Sequence, residues 1–133
     1  MNNILKIALS YSLAAVLVVL SACDDDTLAP FQPEVTNTAD NFQMQATGVR
    51  NVSFDRTYSW SNSGQQATVN HSTTKTAGTA RLTIRDAGGA VVYDKALAPS
   101  LNEATATGTS GTWTIRVHLS QYSGTLNFRV QKL

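Results

Sequence analysis

One cysteine, Cys23, occurs in 133 residues, so no intrachain disulfide can form and a bridged scaffold is excluded. Histidine is nearly as scarce. His71 and His118 lie far apart, without the spacing that puts two ligands on one helix face, so no metal and no other cofactor is expected. No Gly-x-Ser-x-Gly elbow is present to activate a serine, and no glycine-rich loop opens a helix to hold phosphate. A non-enzymatic protein is the reading. Charged residues make up 14% of the chain, ten basic against nine acidic, too few and too balanced for a dedicated nucleic-acid binder. The uncharged stretch from Ile7 to Ala22 falls short of the roughly 20 apolar residues that span a bilayer as a helix.

That stretch nevertheless carries information. A polar start with Lys6, an apolar middle from Leu13 to Leu20 and small residues at Ser21 and Ala22 form the three parts of a secretory signal. Leu20-Ser21-Ala22-Cys23 resembles the bacterial lipoprotein signal at all four positions. The resemblance covers residues 1–23. It implies cleavage between Ala22 and Cys23, a diacylglyceryl group on the Cys23 thiol and acylation, typically with palmitate, of the new amino terminus. Each buried methylene contributes about 0.8 kcal/mol and one chain alone binds reversibly, so two or three chains on Cys23 would hold the protein to a membrane of the cell envelope. Asp24-Asp25-Asp26 resembles sorting information. The run favours the outer membrane or cell surface, with the periplasmic side of the inner membrane as the alternative.

Charge then divides the remainder. From Asp24 to Asp40 there are five acids and no base; from Asn41 to Leu133 nine bases face four acids. Pro30 and Pro33 with few large apolar residues make residues 23–40 read as a lipidated, disordered acidic tether. Residues 41–133 then form one domain.

In that domain the dominant period is two, and threonine, valine and aromatics are plentiful, which predicts an all-β fold. Thr112 to Ser120 alternates Trp113, Ile115, Val117 and Leu119 with Thr114, Arg116 and His118; Thr125 to Gln131 alternates Leu126, Phe128 and Val130 with Asn127 and Arg129. Between them Gln121-Tyr122-Ser123-Gly124 has turn composition, so a C-terminal hairpin is expected. Ala80 to Arg85, the turn Asp86-Ala87-Gly88-Gly89 and Ala90 to Leu97 form another. Further strands are expected at Phe42–Thr47, Val52–Trp60, Gln66–His71 and Ala104–Thr107. Seven to eight short antiparallel strands favour a two-sheet sandwich, immunoglobulin-like or jelly-roll-like, behind the signal helix and linker. Gly111 to Val117 with Ser123 to Leu126 also resembles the last hairpin of β-sandwich modules appended to secreted bacterial proteases, which implies architecture and no activity. Trp60, Leu82, Ile84, Trp113, Ile115, Val117, Leu126, Phe128 and Val130 are the expected core.

Two features suggest a binding surface. Tyr122, in a polar turn, is the aromatic expected to be exposed. Arg116, His118 and Arg129 share the polar face of the expected hairpin: a four-residue turn sets the two arginines opposite each other, and a two-residue turn sets Arg129 opposite His118. Like charges directly opposite are unfavourable, so the cluster is either a solvated face or an anion site. Taken together these residues predict a lipid-anchored envelope protein whose sandwich is a binding or adhesion module for an anionic glycan or an envelope protein. A structural subunit that adds a strand at an exposed edge is the alternative.

Overall fold

The computed structural model describes residues 31–133; the expected signal helix, Cys23 and residues 23–30 of the expected tether lie outside the described residues. All seven elements are antiparallel strands: β1 (Glu34–Thr38), β2 (Asn41–Asn62), β3 (Ala67–His71), β4 (Thr74–Arg85), β5 (Val91–Ala96), β6 (Leu101–Ala104) and β7 (Gly111–Lys132). The expected all-β class is what the chain adopts. Seven strands fall within the expected number, but not all are short: two of them, β2 and β7, run for 22 residues each.

β2 and β7 pair along their whole lengths, from Asn41 opposite Gln131 to Asn62 opposite Gly111, through three register shifts between Ala46 and Phe54. In a straight strand, Phe42 and Tyr58 would lie roughly 50 Å apart at about 3.3 Å per residue. Their rings are 5.3 Å apart. The β2–β7 ribbon therefore folds back on itself at the irregularities, the device by which strands pass between packed layers. One layer has the order β1–β2–β7–β3–β6; the other is built from the remaining halves of β2 and β7 with β4 and β5. The two layers share both long strands, and the core fills the space between them.

The C-terminal hairpin expected from sequence is accordingly corrected to one bent strand. Gln121 to Gly124 has turn chemistry, with Gln121 at φ 45° and Gly124 at φ 138°. Here it makes a bulged elbow, because β2 on one edge and β4 on the other both follow the bend and keep the ladder paired. The inward phase changes from odd positions (Trp113, Ile115, Val117, Leu119) to even ones (Tyr122, Leu126, Phe128, Val130) across it. A second bulge, at Val92, explains two adjacent buried residues in β5: Ile84 pairs with Tyr93 and Arg85 with Val91, so Val92 is skipped and turns inward beside Tyr93.

The N-terminal boundary also moves. Glu34–Thr38 is a strand paired with Asn41–Gln45, and Phe31 packs edge-on against Phe54 at 5.1 Å. Residues 31–40 thus belong to the folded body and not to the tether. The reason is a clasp at the β1–β2 turn. Asp40, at φ 64°, accepts hydrogen bonds from the Ser63 amide at 2.7 Å and the Ser63 hydroxyl at 2.8 Å. Its own amide donates to Ser61 O at 2.8 Å, and the Lys132 amide donates to its carbonyl at 3.0 Å. One turn thus ties both ends of β2 to the end of β7.

All nine expected core residues are buried, with Phe42, Met44, Leu119 and Tyr122 beside them. Trp60 and Trp113, directly opposite in the ladder, meet edge to face at 5.9 Å, and each indole donates to a backbone carbonyl, Thr38 O at 3.1 Å and Thr109 O at 2.7 Å. That is how a buried tryptophan satisfies its one donor.

Candidate functional site

The register places the polar residues of the two layers on two outer faces of different chemistry. On the β4–β5 layer, cross-strand neighbours run Asp55, His118, Arg81 and Thr57, Arg116, Thr83, Asp94. Arg116 grips Asp55 with two nitrogens, at 2.8 and 2.5 Å, and this charge-assisted pair holds the Asp55 carboxyl down at about 2. His118 Nδ1 lies 3.3 Å from the same carboxylate, while Arg81 pairs with Asp94 at 2.7 Å. These charges satisfy one another, and Arg85, at the end of the same face, donates to Gly89 O at 3.0 Å.

Across the molecule, the outer face of the β1–β2–β7–β3–β6 layer carries almost no charge. One unbroken row crosses all five strands: Thr36, Gln43, Arg129, Asn70, Asn102. Beside it run Thr38, Asn41, Gln131, Thr68 and Ala104 on one side and Glu34, Gln45, Asn127 on the other. Arg129 sits at the centre, with Gln43 and Asn70 opposite it and Asn127 and Gln131 two residues away along β7. Its guanidinium donates to Gln43 Oε1 at 3.0 Å, and no carboxylate pairs with it among the described residues. The middle of the face is a shallow hollow of about 360 Å³.

Tyr122, Arg116, His118 and Arg129 therefore do not form one site. Arg116 and Arg129 are separated by roughly 40 Å of β7 at about 3.3 Å per residue, and they stand on opposite outer faces, because the strand changes layer between them. Tyr122 is fully buried. The phase change at the elbow turns its ring inward, and its hydroxyl donates to Thr125 O at 2.6 Å, with Thr74 O at 3.3 Å. Of the four, Arg129 alone lies on the amide face. The amides around it were visible in sequence as the polar alternates Asn41, Gln43, Gln45 and Asn127, Gln131; what the sequence did not give was that these stretches and Asn70 are neighbours in one sheet.

No family model and no curated protein matches this chain.

Two polar features of the interior have structural work. Asp86 accepts from the amides of Gly88, Ala90 and Thr109 at 3.0, 2.8 and 2.8 Å, which lower its pKa, the Thr109 bond most, and fix the β4–β5 turn expected at Asp86–Gly89. His71, buried, accepts the Ala98 amide on Nδ1 at 3.1 Å, which leaves the proton on Nε2 to donate to Tyr93 Oη at 2.7 Å. Tyr93 donates in turn to Glu103 at 2.9 Å, and Lys95 pairs with that carboxylate at 2.6 Å. This chain stitches β3 and β6 of one layer to β5 of the other. Every member has its partner.

Burial lowers the His71 pKa, against a smaller opposing effect of Glu103. The sign follows: in the unfolded chain this group takes up its proton near pH 6.5, in the folded protein only at lower pH. Its contribution to stability is fully present above about pH 6.5 and is lost as pH falls from there through the folded value. The urea midpoint is expected to drop between pH 7 and 5, and His71→Leu is expected to flatten that dependence while lowering stability at pH 7. A profile unaltered by the substitution would remove His71 as its source.

A larger hollow of about 670 Å³ lies at the elbow, between Phe31–Glu34 and Gln45–Ser53.

Proposed function

We propose that the protein is a lipid-anchored component of the bacterial cell envelope, held through Cys23, whose non-catalytic β sandwich is a binding module presented on a short acidic tether, residues 23–30. The observation that supports a binding role is the contrast between the two outer faces. Solvated sheet faces are ordinarily covered with mixed charge, as the β4–β5 layer is. The opposite face offers amides and hydroxyls around a single unpaired guanidinium, a surface rich in hydrogen-bonding groups and poor in self-satisfied charge. One buried side-chain acceptor, Asn41 Oδ1, lacks a partner among the described residues, and it belongs to a residue of this face.

Asn70→Glu, which sets a carboxylate directly opposite Arg129, is expected to quench that cation while leaving the fold intact, since Asn70 is exposed. Mature protein carrying Cys23→Ser, and therefore soluble, is expected to sediment with envelope fractions, and Asn70→Glu to abolish this. Equal retention of both forms would remove the amide face from the function.

The proposed tether has its own test. Limited proteolysis is expected to cut before Phe31 and to spare 34–40, whose backbone is paired; early cleavage within 34–38 would show β1 to be detached in solution.

A structural subunit is the second reading, favoured by β1: its five residues are all exposed and it forms the rim of the amide layer, where a further strand could add. The far edge of β2 is less receptive, because Arg56 projects from it over the Tyr58 ring at 5.1 Å, an inward-pointing charge of the kind that protects edges. Sedimentation of the soluble form separates the two. Self-association lost on Val35→Lys would favour the subunit, and a monomer at all concentrations the binding module.

A further inference from the structure

We infer that the amide face binds a carboxylate-bearing polysaccharide, with Arg129 gripping the carboxylate and the surrounding amides holding the sugar hydroxyls. The inference rests on the binding-module reading above and names its ligand class. Among the described residues Arg129 is the only cation on a face whose three rows otherwise hold Asn, Gln, Thr and Ala104, with Glu34 at the rim. It is exposed, and its contact within the protein is a neutral amide, Gln43. A guanidinium presents a planar fork of donors that matches a carboxylate. The four amides around it, Gln43, Asn70, Asn127 and Gln131, each offer both a donor and an acceptor. That is the requirement of a hydroxyl, which does both.

Other partners fit less well. A protein interface is anchored by large aromatic or aliphatic groups, and the three rows contain none larger than Ala104. Nucleic acid is bound by neutralising many phosphates, for which one arginine is insufficient. A membrane surface would require apolar insertion or a basic cluster, and neither is present on this face. A hydroxyl-rich polymer with spaced carboxylates matches a neutral polar face with one central positive charge. Without a stacking aromatic each contact is weak, but many copies held on one membrane engage one polymer together.

The test uses the mature Cys23→Ser protein against polygalacturonate, hyaluronate and polysialic acid, each beside its carboxyl-reduced, neutral counterpart. At least one acidic polymer is expected to bind, its reduced form not. Arg129→Gln is expected to weaken binding about tenfold or more, the loss typical of a charged hydrogen bond, and Asn70→Ala less. Arg116→Gln, on the opposite face, is expected to leave affinity unchanged, and added salt to weaken binding. Equal binding of acidic and reduced polymers, or an Arg129→Gln protein that binds normally, overturns the inference. So does failure to bind any of the three acids. If envelope binding still disappears with Asn70→Glu in that last case, the face remains the binding site and only the ligand class is wrong; if it persists, both fall.

Discussion

Gly124→Ala is expected to destabilise the protein by about 2–6 kcal/mol, the sum of an unfavourable backbone conformation and a steric clash. Gly124 stands at the elbow of β7 with φ 138°, and a Cβ there would lie 2.1 Å from Thr74 O and 3.1 Å from the Lys75 Cα. Both are backbone atoms of the paired strand β4, so neither can swing away. The residue that looks like the apex of a turn is instead the point where two strands come too close for any side chain. Gly48, at the same bend on β2, is the control: it has φ 63° and open space around it, so Gly48→Ala should cost only the left-handed penalty of about 1–2 kcal/mol. Urea unfolding followed by the fluorescence of Trp60 and Trp113 measures both. A Gly124→Ala protein no less stable than Gly48→Ala would mean that the strand does not bend there as described.

Phe128→Ala is expected to cost about 3–5 kcal/mol, enough to unfold much of a domain whose total stability is typically about 5–15 kcal/mol. Phe128 is 1% exposed and stacks on Phe42 at 5.9 Å, which in turn meets Tyr58 from the other layer. Removing it opens a void where the folded-back halves of the ribbon pack together. Its neighbour Arg129 points to solvent, so Arg129→Ala should leave the urea midpoint nearly unchanged while removing the central cation of the amide face. Comparable losses from the two changes would mean that the inner and outer faces of β7 had been exchanged.

Strand content and the inward set were legible in sequence because period-two alternation is a local property, and Trp113 to Val117 and Leu126 to Val130 display it without interruption. The connection between those runs was not. A positive φ, a glycine and a change of phase accompany a hairpin turn and a bulge alike, and what decides between them at Gln121–Gly124 is whether neighbouring strands follow the bend. Those neighbours, Ala46–Phe54 and Thr74–Thr79, are distant in the chain. The fate of Tyr122 followed from the same ambiguity, since in a turn it would face water and in a bulge it faces the core. β1 was obscured by composition: two prolines and an acidic run resemble a tether, and the clasp that orders Glu34–Thr38 depends on Ser63 and Lys132. The site was half legible. Arg129 and its flanking amides were in view, but pairing it with Arg116 and His118 assumed a hairpin, and the continuous strand carries those residues to the other face.

Anchorage through Cys23 underlies the whole functional proposal, since it places the binding face at the envelope and supplies the many copies that weak contacts need. Intact mass spectrometry of the protein purified from membranes of a bacterial host tests it most directly. The amino-terminal peptide is expected to begin at Cys23 and to carry a diacylglyceryl group with an additional acyl chain, and Cys23→Ser to abolish both the modification and membrane retention. An unmodified Cys23, in a chain cleaved elsewhere or still bearing residues 1–22, would contradict it.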